Sequence, residues 1–271
     1  MTRTALIAGR GMLPAALVAA AATRPFVAAM DGFLPDGLTP DLTFRLERLM
    51  PFLGALHDAG VAQVVFAGAV TRPRGFEPGL IDPATATVLP ALMAAMQAGD
   101  DATLRAVIAL FEANGLTVTG PADLAPDLLP PEGLLTGTVT DRDRADASRA
   151  ATIVVALGAV DVGQGAVVQQ GLCLAVEALP GTDAMLATVA AMDLGLRPDP
   201  AAGRGLLWKA PKPGQDRRID LPTIGPATVT AAARAGLGGI AFQAGGTILL
   251  DRAATIAACE KAGLFLWSRA P

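Results

Sequence analysis

Residues 4–30 read TALIAGRGMLPAALVAAAATRPFVAAM, and this stretch indicates the fold of the first half of the chain. An apolar run at residues 4–8 stops at the sequence GRG, an alanine-rich helical stretch follows at residues 13–22, and residues 26–30 form a second apolar run. Short apolar runs that alternate with helical stretches are typical of parallel sheets in α/β proteins. The sequence therefore predicts a strand, a glycine turn, a helix and a second strand, in that order.

The same alternation continues to about residue 118. Leucines spaced by four and three residues predict one face of a helix, which Pro51 interrupts. These leucines are Leu42, Leu46, Leu49, Leu53 and Leu56. Residues 61–67 predict a third strand, residues 83–97 and 101–114 predict helices, and residues 116–118 predict a strand. We therefore predict an N-terminal Rossmann-like domain with a mostly parallel sheet.

A cluster of prolines separates this half from the next. Pro121, Pro126, Pro130 and Pro131 lie close together with few charges between them, which is typical of a linker. We place the N-terminal domain at residues 1–130 and a C-terminal α/β catalytic domain at residues 131–271. The second half again mixes elements, with predicted helices at 142–158, from 182 and at 226–235, and predicted strands at 167–169, 173–177, 205–209, 238–242, 247–250 and 264–267.

The composition excludes several classes of protein. A chain that is 52% hydrophobic and 17% charged is not disordered, and a net charge of −4 argues against a nucleic-acid partner. The one histidine, His57, cannot build a histidine-rich metal centre, and it ends a predicted helix, where it is expected to contact carbonyl groups. Neither serine, Ser148 nor Ser268, lies in a G-x-S-x-G motif. Catalysis is therefore left to acids, cations, threonines and amides.

The cysteines and the apolar runs indicate the compartment. Cys173 and Cys259 form no C-x-x-C pair, and we predict that both are small core residues in a reducing compartment. Arg10, Pro14 and two glycines interrupt the N-terminal apolar stretch, unlike a signal peptide. No apolar run approaches the roughly 18–20 residues of a spanning helix. We therefore expect a cytoplasmic protein.

Two glycine turns in the first half are candidate binding sites. Gly11 and Met12 stand between the first strand and the first helix, where free N–H groups favour phosphate, although Pro14 replaces the third glycine of a dinucleotide fingerprint. Gly68 and Thr71 follow the strand at residues 61–67. Because the carboxyl ends of parallel strands share one edge, we predict that Gly11 and Gly68 line one crevice. The alternative is that both are ordinary turns without a ligand.

Two motifs in the second half combine glycines with polar groups. Gln164 lies in DVGQG, and Glu177 interrupts an apolar strand shortly before Gly181-Thr182-Asp183 opens a helix. One interpretation is structural, with Thr182 as the N-cap and Asp183 in the first helical turn. The other places Glu177 and Asp183 near a metal or a diphosphate.

The densest polar cluster is WKAPKPGQDRRIDLPTIG at residues 208–225, which holds two of the chain's three lysines. Phosphoryl transfer needs carboxylates for Mg²⁺, cations for phosphate oxygens and a group that orients water. We therefore predict that this segment carries the chemistry, whereas the alternative is a solvated loop with offsetting charges. The predicted contributors are Lys209, Lys212, Gln215, Arg217 and Asp220.

Five of these motifs together resemble a known family, the UDP-2,3-diacylglucosamine pyrophosphatases of lipid A biosynthesis, in their two-domain α/β branch (the LpxI family). The motifs occur in order along the chain: GRGMLP at 9–14, AGAVTRP at 67–73, DVGQGAVV at 161–168, AVEALPGTDAML at 175–186 and KAPKPGQDRRIDLPTIGPATV at 209–229. The scarcity of histidine separately excludes the metallophosphoesterase branch of these enzymes.

The resemblance implies a reaction and a cofactor. The enzyme is expected to hydrolyse the diphosphate of UDP-2,3-diacylglucosamine to 2,3-diacylglucosamine 1-phosphate and UMP, with Mg²⁺ and with water directed at the sugar-side phosphorus, in a cavity between the domains. Asp220 matches the acid expected to be essential. The family is expected to carry an acid where this chain has Pro180, so Glu177 and Asp183 become the expected substitutes. The expected metal ligands are then Asp220, Asp183 and Glu177.

The expected substrate contacts are Gly11, Met12, Gly68, Thr71, Gln164, Thr182, Lys209, Lys212, Gln215 and Arg217. The partners expected are an acylated UDP-sugar and, transiently, the surface of the inner membrane, and a homodimer is left open. Two alternatives remain at this point: a nicotinamide-dependent oxidoreductase, suggested by the glycine turn, and a non-catalytic carrier of acyl-sugars, suggested by the hydropathy. Release of UMP distinguishes the predicted hydrolase from both.

Overall fold

The computed structural model describes residues 3–71, 75–219 and 221–270. The chain divides into two compact units. The first comprises Met1–Asp127 and Asp216–Asp220, and the second comprises Leu128–Gln215 and Leu221–Pro271. Unlike the single boundary predicted near residue 130, this division gives the first unit a second, short stretch of chain. Both units combine helices with a sheet, which confirms the predicted α/β fold.

The first unit is built on a parallel sheet with strand order β3-β2-β1-β4-β5. Its strands are β1 (Arg3–Ala8), β2 (Phe26–Met30), β3 (Leu42–Phe44), β4 (Val61–Ala67) and β5 (Thr117–Thr119). The central strands β1, β2 and β4 have buried residues on both faces, so their sequences are nearly continuous apolar runs. The order reverses between β1 and β4, and in Rossmann-like sheets this reversal is where ligands bind. The predicted parallel sheet is confirmed.

The helices of the first unit correct one prediction. They are α1 (Leu13–Ala20), α2 (Leu49–Asp58), α3 (Pro83–Ala98), α4 (Asp100–Ala113) and α5 (Pro121–Leu124). The leucine pattern from Leu42 to Leu56 is not one helix, because Leu42 lies in β3 and Leu46–Arg48 form a 3-10 turn. Pro51 stands in the first turn of α2, where its missing N–H breaks no helical hydrogen bond, so it does not kink the helix.

The core of the first unit includes a residue from its second stretch of chain. Phe44 stacks on Phe52 with ring centroids 3.8 Å apart, and Phe66 meets Phe111 edge to face at 5.0 Å. Ile219 belongs to the same hydrophobic cluster and is 6% exposed. The segment that begins at Asp216 therefore supplies part of this core.

The second unit contains a mixed sheet with strand order β6-β13-β11-β9-β7-β8 and a small parallel pair, β10 and β12. Strands β9, β11 and β13 are parallel, whereas β6, β7 and β8 are antiparallel to their neighbours. The strands are β6 (Gly133–Thr136), β7 (Gly165–Gln169), β8 (Leu172–Val176), β9 (Leu206–Lys209), β10 (Thr223–Ile224), β11 (Gly239–Gln243), β12 (Ile248–Leu249) and β13 (Phe265–Arg269).

The helices of the second unit cover this sheet. They are α6 (Asp141–Gly158), α7 (Gly181–Ala190), α8 (Pro226–Arg234) and α9 (Arg252–Ala262). Cys259 is buried as predicted, but the prediction for Cys173 is wrong: it is exposed, because it lies on the edge strand β8. Within the described ranges, no helix is long and apolar enough to cross a membrane.

Candidate active site

The turns after β1 and β4 of the first unit are joined by their backbones. Arg10 and Ala69 exchange two N–H···O hydrogen bonds of 2.9 Å, and the N–H of Gly9 donates to the carbonyl of Ala67 at 2.8 Å. A Cβ on Gly68 would lie 2.5 Å from the carbonyl oxygen of Gly9. Gly68 is therefore required by this backbone contact, whatever its role toward a ligand.

The predicted residues beside this contact are open. Gly11 has a φ of +93°, and a Cβ added there would meet nothing within 4 Å. Met12 is 60% exposed and directly precedes α1, and Thr71 is exposed after β4. The structure thus brings Gly11 and Gly68 to the same edge of the sheet, and that they line one crevice stays a prediction. Arg72, in the same motif as Thr71, lies outside the described residues.

Charged side chains at this edge were not predicted. Arg10 donates to the carbonyl of Gly32 at 2.6 Å and stacks over Phe33, so it ties the turn after β1 to the turn after β2. Arg45, just after β3, pairs with Glu77 at 2.6 Å and with the buried Glu47 at 3.4 Å. Single arginines in turns give no periodic signal, so only the sheet order brings these groups together.

Burial works against ionisation of the Glu47 carboxyl. This effect of burial is outweighed by hydrogen bonds from backbone N–H groups, including that of Glu77, and by the Arg45 guanidinium. Together these contacts hold the pKa of Glu47 below its ordinary 4.5. Glu47 is therefore ionised at neutral pH and serves to fix the turn that contains Glu77.

In the second unit, three predicted residues form a cluster in which Lys209 and Glu177 are buried and Thr182 is half-buried. The Nζ of Lys209 donates to Thr182 Oγ1 at 2.7 Å and lies 3.6 Å from Glu177 Oε2. The Thr182 hydroxyl donates in turn to Glu177 Oε2 at 3.0 Å. Lys209 is 4% exposed and Glu177 8%. We call Lys209, Thr182 and Glu177 the lysine triad.

The glycines of DVGQG make room for the lysine triad. A Cβ on Gly165 would collide with Glu177 Oε2, and a Cβ on Gly163 would collide with the carbonyl oxygen of Glu177. Gly165 pairs with Lys209 across β7 and β9, and the N–H of Glu177 donates to the carbonyl of Gly165 at 2.8 Å. The glycine spacing in DVGQG therefore marks a close neighbour, and it is the sequence signal for this contact.

The interpretation of Thr182 as the N-cap of α7 is wrong. Pro180 holds the N-cap position, so Thr182 lies inside the helix and its hydroxyl turns to Lys209 and Glu177. Asp183 is exposed in the first turn of α7, as predicted for the structural interpretation.

The loop after β9 continues the polar cluster. Lys212 Nζ pairs with Asp161 Oδ1 at 2.6 Å, and the backbone N–H of Lys212 donates to Gln215 Oε1 at 2.9 Å. The N–H of Ala210 donates to the carbonyl of Gln164 at 3.1 Å. The Oε1 atom of Gln164 is buried and has no hydrogen-bond partner in the described part of the chain. These predicted residues and the lysine triad therefore lie at one end of the second sheet.

The two arginines of the sequence QDRRID have different surroundings, and both belong to the first unit. Arg218 pairs with Asp216 at 2.7 Å and with Glu112 at 2.6 Å, so it fixes its own segment. The Arg218 hydrogen bonds hold the pKa of Asp216 below its ordinary 3.8. Arg217 is exposed. Asp220, the predicted catalytic acid, lies outside the described residues.

The described residues do not by themselves form the predicted magnesium site. No group of three or more His, Cys, Asp or Glu side chains gathers among them, and Glu177 is already paired with Lys209. Mg²⁺ is often held by only one or two carboxylates together with substrate phosphates, and such a site has no three-carboxylate cluster. The ligand set of Asp220, Asp183 and Glu177 therefore stays a prediction.

A separate groove of about 650 Å³ lies at the other end of the second sheet. Its lining includes Arg204, Gly238 and Leu264, which precede β9, β11 and β13, whereas Lys209 ends β9. None of the predicted site residues that the structure describes lines this groove, so it does not coincide with the polar cluster.

The fold defines an α/β protein of two units. The first unit carries an open glycine turn at Gly11, and the second unit carries a polar cluster with the buried Lys209 and the half-buried Lys212. Residues 3–128 match the LpxI N-terminal domain, and residues 131–267 match the LpxI C-terminal domain. The chain belongs to the LpxI family, which confirms the resemblance. It is 41% identical to the UDP-2,3-diacylglucosamine pyrophosphatase LpxI of Caulobacter vibrioides, over 98% of this chain and 97% of that protein.

Proposed function

We propose that this chain hydrolyses the diphosphate of UDP-2,3-diacylglucosamine, releasing 2,3-diacylglucosamine 1-phosphate and UMP. The observation that carries the proposal is the 41% identity, over nearly the full length of both chains, to a protein named for this activity. The clusters described above fit it, since a diphosphate needs cations and N–H donors around its oxygens.

The proposed site residues have different roles, which follow from the chemistry of their side chains. Lys209 and Lys212 neutralise phosphate oxygens, and Gln164, Gln215 and Arg217 add hydrogen-bond donors. Thr182 contacts the substrate beside Lys209, and Asp220 orients the attacking water or binds the metal. Water attacks the sugar-side phosphorus, the bond from that phosphorus to the bridging oxygen breaks, and UMP leaves. Hydrolysis in ¹⁸O-labelled water tests this direction, because the label is expected in the sugar phosphate and not in UMP.

In the first unit, Gly11, Met12, Gly68 and Thr71 hold the uridine nucleotide or its phosphate. Gly11 and Met12 stand directly before α1, whose first N–H groups lack helical partners. The open space around Gly11 is consistent with close approach of a ligand to the backbone.

The cofactor is Mg²⁺, with Asp220, Asp183 and Glu177 as the candidate ligands. The ion supplies charge that offsets repulsion between phosphate oxygens and carboxylates. Excess EDTA is expected to abolish release of UMP, and added Mg²⁺ is expected to restore it. Full turnover in EDTA would contradict the metal proposal and leave the hydrolase proposal standing.

The protein is cytoplasmic and touches the inner membrane only transiently. Leu179 is 95% exposed and Val160 69% exposed, close in sequence to Glu177 and Asp161 of the polar cluster. Exposed apolar side chains beside a polar site suit a lipid surface. In flotation with phosphatidylethanolamine–phosphatidylglycerol vesicles, Leu179→Ser is expected to bind less than the wild type. The matched control is Leu134→Ser, on β6 at the opposite edge of the sheet.

A homodimer is a further proposal, supported by the exposed apolar edge strand β8. Leu172 is 57% exposed and Val176 37%. An uncovered edge offers free backbone groups to a second strand. Sedimentation equilibrium measures the proportions of monomer and dimer. We expect Leu172→Lys to contain more monomer than the wild type.

The central experiment is product analysis with purified protein and UDP-2,3-diacylglucosamine. We expect UMP and the acylated sugar phosphate in equal amounts. Tight binding without UMP would favour the acyl-sugar carrier, and a change in nicotinamide absorbance would favour the oxidoreductase. Either result would overturn the proposed hydrolase.

A further inference from the structure

The ammonium of Lys209 is held by side chains from two other elements. Thr182 reaches it from α7, and Glu177 reaches it from the end of β8. The Thr182 hydroxyl accepts from Lys209 and donates to Glu177 Oε2, so a single oxygen links the cation to the anion. A lysine side chain has many rotamers, and two partners on separate elements restrict it to one.

The lysine triad leaves one donor of this cation unused. An ammonium has three N–H donors. Among the residues that the structure describes, only Thr182 and Glu177 lie within hydrogen-bond or ion-pair distance of Nζ. Because Lys209 is 4% exposed, a donor without an acceptor is unfavourable there, and an anionic ligand oxygen would satisfy it.

Glu177 is poorly placed to bind a cation as well. Its Oε2 atom already accepts from Thr182 and faces the ammonium at 3.6 Å. A divalent cation at the same oxygen would stand close to the ammonium, and like charges in a buried site repel strongly. The carboxylate is better suited to orient Lys209 than to ligate a metal.

We propose that Thr182 and Glu177 are positioning residues, which fix the Lys209 ammonium so that its third N–H meets the diphosphate of the substrate. This inference rests on the proposed function, because it takes the diphosphate as the ligand. On this inference Thr182 does not contact the substrate and Glu177 does not bind the metal, and both residues instead hold the Lys209 ammonium in place.

The test compares two substitutions at one position. Thr182→Ser keeps the hydroxyl and both hydrogen bonds, whereas Thr182→Val keeps the branched shape and loses both. We expect kcat/KM of the serine variant to stay close to the wild-type value. We expect that of the valine variant to fall roughly 100-fold, the scale of a small misplacement of a catalytic group. Thermal unfolding of both variants shows whether the fold is kept.

A second measurement separates positioning from metal ligation. Glu177→Gln is assayed across a range of Mg²⁺ concentrations. If Glu177 positions Lys209, the Mg²⁺ concentration for half-maximal activity stays at the wild-type value while kcat/KM falls. The double variant Glu177→Gln/Thr182→Val is then expected to lose no more than the more affected single variant, because both act through one cation.

Each outcome has a defined meaning. A wild-type protein that releases no UMP overturns the proposed function and this inference with it. A wild type that is active, with Thr182→Val as active as Thr182→Ser, overturns the positioning role alone. If Glu177→Gln needs a higher Mg²⁺ concentration than the wild type for half-maximal activity, Glu177 is a metal ligand and the positioning role of Glu177 is overturned.

Discussion

Gly9 and Gly68 face each other so closely that neither position has room for a side chain. A Cβ on Gly68 would lie 2.5 Å from the carbonyl oxygen of Gly9, and a Cβ on Gly9 would lie 2.7 Å from the carbonyl oxygen of Ala69. The contact joins the turns after β1 and β4, at the point where the strand order of the first sheet reverses. It holds the base of the turn that carries Gly11.

Gly68→Ala is expected to destabilise the protein more than Gly11→Ala. The two glycines have nearly the same φ, +94° and +93°, so both substitutions carry a similar backbone strain of roughly 1–2 kcal/mol. Only Gly68 adds a clash with backbone, which raises the cost by roughly 1–3 kcal/mol. Denaturant unfolding of the two variants measures the difference, and equal stabilities would contradict the packing argument.

Gly11→Val is expected to raise KM or abolish turnover while the protein stays folded. The side chain would occupy open space beside the start of α1, where we propose that the nucleotide binds. Gly37→Val is the control, since Gly37 also has a positive φ and open surroundings but lies in a loop without a proposed role. Unchanged kinetics in a folded Gly11→Val would remove this turn from the proposed site.

Asp220→Ala is expected to reduce kcat by the equivalent of roughly 3–5 kcal/mol, the scale for losing a metal ligand or a water-orienting group. Substrate binding should persist, because uridine and the acyl chains contact other residues. Asp216→Asn is the control from the same segment: its ion pair with Arg218 is partly exposed, so at most about 1 kcal/mol of stability is expected to be lost. If binding and melting temperature fell together with the rate of Asp220→Ala, Asp220 would be structural.

Stability in acid is expected to depend on Asp216. The Arg218 hydrogen bonds lower the pKa of Asp216 below 3.8, so the folded protein binds this proton less readily than the unfolded chain does. The resulting stabilisation is complete above about pH 4 and is lost as the pH falls through the lowered value. Asp216→Asn should therefore flatten the fall in unfolding free energy below pH 4. The matched control is Asp36→Asn, which makes the same change in charge at an exposed site.

His57→Ala is expected to keep full activity. His57 is exposed in the last turn of α2, and its Nε2 lies 2.8 Å from the carbonyl oxygen of Asn114. Loss of such a hydrogen bond costs about 1 kcal/mol of stability. Steady-state kinetics and thermal unfolding of the variant check both points, and a folded but inactive protein would assign the one histidine to the chemistry.

The sequence was sufficient for the elements whose signals are local. The apolar runs and the glycine turn of residues 4–30 predicted β1, α1 and β2 to within two residues, because each element carries its own periodicity. The three-residue strand β3 was missed. Its backbone pairs with β2, and nothing in the spacing of Leu42 reports that tertiary contact.

The sequence predicts individual residues of the candidate site, but it does not predict the contacts between them. Glu177 and Thr182 lie in one motif and Lys209 in another, whereas the contact among the three depends on the register that pairs Gly165 with Lys209. Cys173 was misjudged for the same reason, since an apolar residue on an edge strand looks like a core residue until the strand order is known.

The short return of the chain to the first unit at Asp216 also sets an order of events during synthesis. The first unit emerges from the ribosome as far as Asp127, yet Ile219, which completes its hydrophobic cluster, is made only after most of the second unit. At roughly 5–20 residues per second, the ribosome needs roughly 5–20 seconds to proceed from Asp127 to Ile219. During that time the nascent first unit carries an unfilled apolar site, and a fragment that stops at Asp127 would keep that site permanently.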